Sequence, residues 1–394
     1  MSEEERELPE LPHDVIVDIL SRIPCKSLVK FRCVSKQWNS LIRSPKFAEL
    51  QLSRSFSRQR VLLRSEPFWS INYDDLDDLF EDQFEVMNEE DAPPMLADVD
   101  DADLIGECNG LICMALTKQD QRSFLLWNPT SRECKEVRKT DVANVVDVGC
   151  MFDFKVKTIS DHKDKVDVYG FGYDSISDDY KIVRLVADIP PTKKAVNVEI
   201  YMVGRRTWRK IQRPVPGMIC ILRNFFHLDN CAFLNGACHW FTLKFTTSGN
   251  AILRFDLGKE EVEEVTLPPY LSNSDFMKEV LVFGGKLVLT NKVSDVEMEI
   301  WVMNEYGVGS SFTKKVTVLS AAPVSKSTIF ILPICFSKNG GVLISVDGCR
   351  LLIYDPERET WKKARGHWRQ HHLTVYAETL ISPYHIPSTE PSLG

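Results

Sequence analysis

The chain has 394 residues, 44% of them hydrophobic and 26% charged, with a formal net charge of −8. This is ordinary globular composition, which excludes a wholly disordered chain and leaves room for a small motif plus one large domain. No apolar h-region follows the charged MSEEERE start and no apolar run reaches bilayer length, so neither secretion nor membrane spanning is expected.

Residues 11–47, LPHDVIVDILSRIPCKSLVKFRCVSKQWNSLIRSPKF, predict three short helices. Pro12 suits a first helical position and Asp14 places negative charge in the first turn. Val15, Ile16, Ile19 and Leu20 gather on one side until Pro24 ends this helix and opens the next. Leu28 and Phe31 carry the second apolar side; Ser35 is an N-cap, and Trp38, Leu41 and Ile42 repeat helical spacing. Some forty residues bury too little surface to stand alone, and these carry more large apolar residues than one another's faces can cover. The surplus needs a partner.

Residues 48–58 are expected to extend the third helix or to link it onward, and RVLLR at 60–64 reads as a strand. From Asp74 to Asp103 there are fourteen Asp or Glu and no Lys, Arg or His. A charge block this dense, interrupted by Pro93-Pro94, is expected to be a mobile, solvated loop that leaves stability unaffected when removed. Leu79, Phe80 and Phe84 could anchor a basic partner there.

From residue 104 onward, short apolar or alternating runs separated by Gly, Asn, Asp and Pro predict antiparallel β structure. Aromatic strands near Trp127, Tyr201, Phe255, Trp301 and Tyr354 recur every 46 to 74 residues, each after a Gly-led strand such as NGLICMAL, NGACHWFTL or GGKLVLTNK. Units of this length are what propeller blades look like. Five are visible, and LTVYAETLIS at 373–382 would join 60–64 to close a sixth. A looser β-sandwich pair is the alternative. Trp127, Trp208, Trp240, Trp301 and Trp361 read as inter-blade core.

Eleven scattered cysteines, never spaced C-x-x-C, indicate neither disulfide framework nor zinc knuckle, so a reducing compartment, cytoplasm or nucleus, is expected. Gly170-Phe171-Gly172 and Gly307-Val308-Gly309 read as turns or bulges rather than phosphate loops. No nucleophile elbow or H-E-x-x-H occurs, and His367, His371 and His372 lack nearby carboxylates or thiols to complete a metal set. No catalytic residue, cofactor or metal is therefore expected. The basic residues near 365 are not accompanied by the stacking aromatics or basic domain that nucleic acid would call for.

The helical stretch resembles an F-box in Leu11-Pro12, Asp14-Val15, Ile19-Leu20, Ile23-Pro24, Ser27-Leu28, Cys33-Val34-Ser35-Lys36 and Trp38. NGLICM, LWNPTSRE, GFGYDSISDDYKIVRL, IWVMNEYGV and LLIYDPE resemble the kelch-like F-box-associated domain of plant F-box proteins, in an order similar to S-locus F-box proteins and to F-box regulators of plant immune receptors. The resemblance implies an α+β multidomain chain: an F-box at 8–50, a linker strand and acidic loop at 51–103, and an all-β propeller of about six blades at 104–386. It also implies a non-catalytic receptor subunit of an SCF-type ubiquitin ligase. Leu11, Pro12, Val15, Ile19, Leu20, Pro24, Leu28, Val34 and Trp38 would then bind the Skp-type linker, and through it cullin and RING subunits. The propeller would bind a protein client, with Arg205, Arg206, Arg365 and Arg369 as polar candidates off the core. A non-degradative adaptor and a kelch-like copper enzyme are the rival readings.

Overall fold

The computed structural model describes residues 11–55, 59–64, 68–78, 85–86, 92–119, 121–138, 165–188, 195–214, 219–221, 231–244, 249–272, 279–294, 297–319, 331–346, 350–363 and 372–384. Four helices lead into six antiparallel sheets arranged as a propeller. In chain order, blade 1 comprises strands 101–108, 111–118, 121–128 and 133–138; blade 2 comprises 165–174, 179–188, 195–202 and 207–214. Blade 3 is built from 219–221, 237–244, 249–256 and 261–266, with 232–234 also pairing 237–244. Blade 4 has strands 280–283, 286–294, 297–303 and 312–319, and blade 5 has 331–336, 342–346, 350–355 and 360–363.

The closing blade has the order expected from the sequence. Strand 372–377 pairs antiparallel with 59–64 from Gln59↔Ala377 to Arg64↔His372, and strands 69–72 and 85–86 follow outward. Buried Arg60 reinforces this seam: its Nη1 lies 3.4 Å from Glu378 Oε1 and its Nη2 donates to Ser70 Oγ at 2.8 Å. An edge strand from each end of the chain thus loses its exposed hydrogen-bonding row.

One apolar cluster fills each of the six seams between neighbouring blades. The five tryptophans lie at these seams. Trp127 is fully buried and meets Phe68 edge-on at 5.6 Å, Trp208 packs on Phe124 at 5.8 Å, and Trp301 on Tyr270 at 5.0 Å. The indoles of Trp240 and Trp361 each donate across a seam, to Tyr169 O and Leu319 O, both at 3.0 Å. Cys113 and Cys238 are core thiols. A buried cation joins blades 2 and 3: Lys181 Nζ contacts Asp174 at 2.7 Å, Glu260 at 2.9 Å and Leu257 O at 2.7 Å. Losing one partner there would strand a charge in the interior.

Local turn chemistry explains the repeat. Asn109-Gly110, Asn235-Gly236 and Gly284-Gly285 have positive φ at both positions, the geometry that a two-residue hairpin requires. Further out, Asn128, Asp256 and Asp355 each accept backbone N–H groups two and three residues on, and the turn ends in a left-handed residue, Arg132, Glu260 or Glu359. Gly170 and Gly172 differ from expectation. They lie in a strand of regular register, where a Cβ would meet Cys238 and Trp240 at one position and the Phe233 ring at the other. Close packing, not a turn, demands glycine there.

The acidic stretch is also corrected. Its described parts are built into the ring: Tyr73–Asp78 and Pro94–Asp98 form 3-10 turns, Glu85–Val86 extends the closing blade, and Asp101 starts blade 1. Leu76 is fully buried, and Met95, Leu96 and Val99 pack against the seam between the closing blade and blade 1. Asp103 is buried with Arg122 at 3.2 Å. Leu79, Phe80 and Phe84 lie outside the described residues. Removing residues 76–100 is therefore expected to lower the melting temperature by many degrees, and Leu76→Ala to cost about 2–5 kcal/mol in chemical denaturation. Transitions unchanged from those of the parent chain would return the segment to a solvated loop.

Candidate partner-docking surfaces

The helices are α1 (His13–Ser21), α2 (Cys25–Phe31), α3 (Lys36–Arg43) and α4 (Pro45–Ser55). Pro12 and Pro24 stand at the N-caps of α1 and α2, one residue before the expected first position. Ser35 caps α3 by accepting the Trp38 N–H at 3.1 Å. Where an extension of the third helix or a link onward was expected, Ser44 adopts an extended conformation and its hydroxyl accepts the Phe47 N–H at 3.3 Å, which starts α4. Four helices replace the three expected.

Their packing divides the expected linker-binding residues. Leu20 and Leu28 are inside, in a cluster with Cys25, Ile42, Phe47, Ala48 and Leu380. These two leucines hold the motif together and present no surface, a correction to their expected role as direct contacts. Trp38 is half-buried against the Phe31 ring at 5.9 Å. Pro12 and Pro24 are exposed, and Leu11, Val15, Ile19 and Val34 are 57%, 38%, 47% and 60% exposed. Val15 and Ile19 fall four residues apart and share one face of α1, with exposed Leu11 just before the helix. This concentration of uncovered apolar side chains is what the surplus in the sequence becomes.

Leu380 shows how the motif is fixed to the ring. After the closing strand the chain continues as a strap between the helices and blade 1. Asn128, fully buried, caps its own turn through Oδ1 while Nδ2 donates to Thr379 O at 3.1 Å and Ile381 O at 2.7 Å. Thr379 Oγ1 donates to Asn109 O at 2.8 Å, and Gly110 leaves no room for a Cβ beside Thr379. From the helices, the Cys25 thiol donates to Glu378 O at 3.2 Å, and Arg32 pairs with Glu133 of blade 1 at 3.2 Å, both side chains largely buried. The sequence signal for this strap is the Asn in LWNPTSRE: the equivalent turns use Asp256 and Asp355, which cap equally but cannot donate as carboxylates.

Of the four arginine candidates, Arg205 and Arg206 are among the described residues. Thr379, just past the closing strand, meets Asn109, just past the first strand of blade 1, so these strands end at the same level, the strap end. The exposed Arg205-Arg206 turn follows the third strand of blade 2 and lies at that end, held by Asp179, which accepts the Gly204 N–H at 2.8 Å. Strand 360–363 ends at Lys363, and strand 372–377 starts at His372, at the opposite end of the ring. Arg365 and Arg369, with His367 and His371, lie outside the described residues.

A small helical motif with an uncovered apolar stripe, mounted on a six-bladed ring, defines a docking module joined to a recognition scaffold. Residues 8–50 match the F-box domain family and residues 69–360 the F-box associated beta propeller domain family. The chain belongs to the plant F-box proteins that carry this propeller domain. It is 27% identical to F-box protein CPR1 of Arabidopsis thaliana, over 90% of this chain and 84% of that protein. It is 24% identical to the F-box/kelch-repeat protein At3g23880 of the same plant, over 95% and 96% of the two chains.

Asn128→Asp keeps the turn cap but sets a carboxylate against two carbonyl oxygens. It is expected to destabilise by about 2–4 kcal/mol and to raise hydrogen exchange through the F-box helices and residues 378–381 ahead of the blades. Exchange unchanged in those helices would show that the strap does not hold them.

Proposed function

We propose that this protein is the substrate-receptor subunit of an SCF-type ubiquitin ligase, acting without catalytic chemistry of its own. One observation carries the reading: the F-box keeps Leu11, Val15, Ile19 and Val34 uncovered while its interior is shared with the strap of the ring. An apolar surface of this kind suits burial against a Skp-type linker, with cullin and RING subunits beyond it. The ring, anchored at the strap end, would hold a protein client at a set place relative to the conjugating enzyme. Ubiquitin transfer is then favoured by effective concentration rather than by any group here. The buried thiols and the absence of a disulfide among the described cysteines suit a reducing cytoplasm or nucleus.

The test separates surface from interior. Val15→Asp with Ile19→Asp changes exposed positions, so the melting temperature is expected to stay within a few degrees while capture of the Skp-type subunit falls by at least about a hundredfold. Leu28→Ala, by contrast, is expected to destabilise the F-box itself. Full capture by the folded double variant would remove the linker-docking role from this stripe.

A further inference from the structure

On the axis of the ring is a cavity of about 280 Å³, walled by residues from the closing blade and blades 1, 3, 4 and 5. It is at the small end of ligand sites, with room for one side chain or a molecule of that size. Its lining is polar and apolar in nearly equal measure, with Phe233, Phe283 and Val375 alongside two carboxyl-bearing residues, Glu107 and Glu279.

The two acids differ. Glu107 Oε1 accepts the Gly110 N–H at 2.7 Å, beside the closing strand. Glu279 is only 7% exposed, and its Oε2 has no hydrogen-bond partner among the described residues. A buried carboxyl oxygen without a partner costs stability and calls for an explanation. Burial pushes Glu107 up to about 7 and Glu279 up to about 8, so both would be held charged more readily by an incoming cation.

The surroundings decide which cation. A hard metal ion needs several converging oxygen ligands, and among the described residues no three His, Cys, Asp or Glu side chains are placed to hold one. An aliphatic stem ending in an ammonium or guanidinium group matches both halves of the lining: stem against the apolar wall, cation against carboxylate and aromatic faces. We infer that the axial cavity is a binding site for an organic cation of this class, with Glu279 as its counter-ion. Two sources supply such a cation, a free amine or a Lys or Arg side chain of a bound protein. This inference rests on the ring alone and holds whichever subunit the F-box docks.

The test uses the full chain and four probes: n-butylammonium, n-butylguanidinium, neutral n-butanol, and the peptide acetyl-Gly-Lys-Gly-amide. By calorimetry, at least one cation is expected to bind and butanol not. Glu279→Gln, which mimics the neutral carboxyl group in shape, should fold normally and weaken the cation by about tenfold or more. Glu107→Gln is the second variant, expected to weaken it less because Glu107 is already hydrogen-bonded. Titration in buffers of different ionisation heat should show protons released on binding. The titratable groups in the wall are Glu107, Glu279, Tyr73, Cys231 and Cys335, and loss of the release in Glu279→Gln assigns it. Peptide binding as tight as that of the free cations identifies a protein side chain as the source, and binding of free cations alone identifies a small amine. Failure of both cations to bind at about 10 mM, equal binding of butanol, or full affinity in Glu279→Gln overturns the site.

Discussion

Everything in this molecule depends on how the chain ends meet. Strand 372–377 pairs with strand 59–64, and residues 378–381 after it then pass beneath the F-box. Closing the ring removes two sheet edges at once and brings together segments more than three hundred residues apart in sequence. Such a contact carries a large loop-closure cost, which the apolar cores on either side of the closing blade must offset. Because the same segment supplies Leu380 to the helical core, ring closure and F-box attachment rest on one continuous stretch of chain.

That coupling gives the fold its functional sense. A receptor that works by proximity needs its docking motif and its recognition surface held in a set relation, since a slack joint would dilute the local concentration it creates. Here the joint is buried and polar as well as apolar: the Asn128 amide, the Thr379 hydroxyl, the Cys25 thiol and the Arg32–Glu133 pair all cross it. Directional bonds of this kind fix orientation in a way that apolar contact alone does not.

Much of the architecture was legible in the sequence because each blade repeats the same local chemistry. Asn-Gly and Gly-Gly pairs specify hairpins by their positive φ, and an aromatic residue followed by Asn or Asp marks the outer turn. The sixth blade could be read because two orphan strands remained, one at either end. The acidic stretch misled for a definable reason. Its charge density masked Leu76, Met95, Leu96 and Val99, whose burial depends on neighbours from the closing blade and blade 1 that no local window contains. Within the F-box, helical spacing identified the apolar residues but could not divide those facing inward from those left outside. Leu28 and Val34 look alike in sequence, and the cluster that covers Leu28 includes Leu380 of the strap, far along the chain. The axial cavity left no sequence mark, since Glu107 and Glu279 come from different blades.

The most direct test of this account is the distance between the F-box and the ring. Spin labels on the exposed Cys33 and on a cysteine introduced at exposed Glu357 would report it by pulsed dipolar spectroscopy. A joint built as described predicts one narrow distance distribution, the same with and without a Skp-type subunit bound. A broad distribution, or one that moves when that subunit binds, would contradict the claim that strap and ring closure hold the two parts as one body.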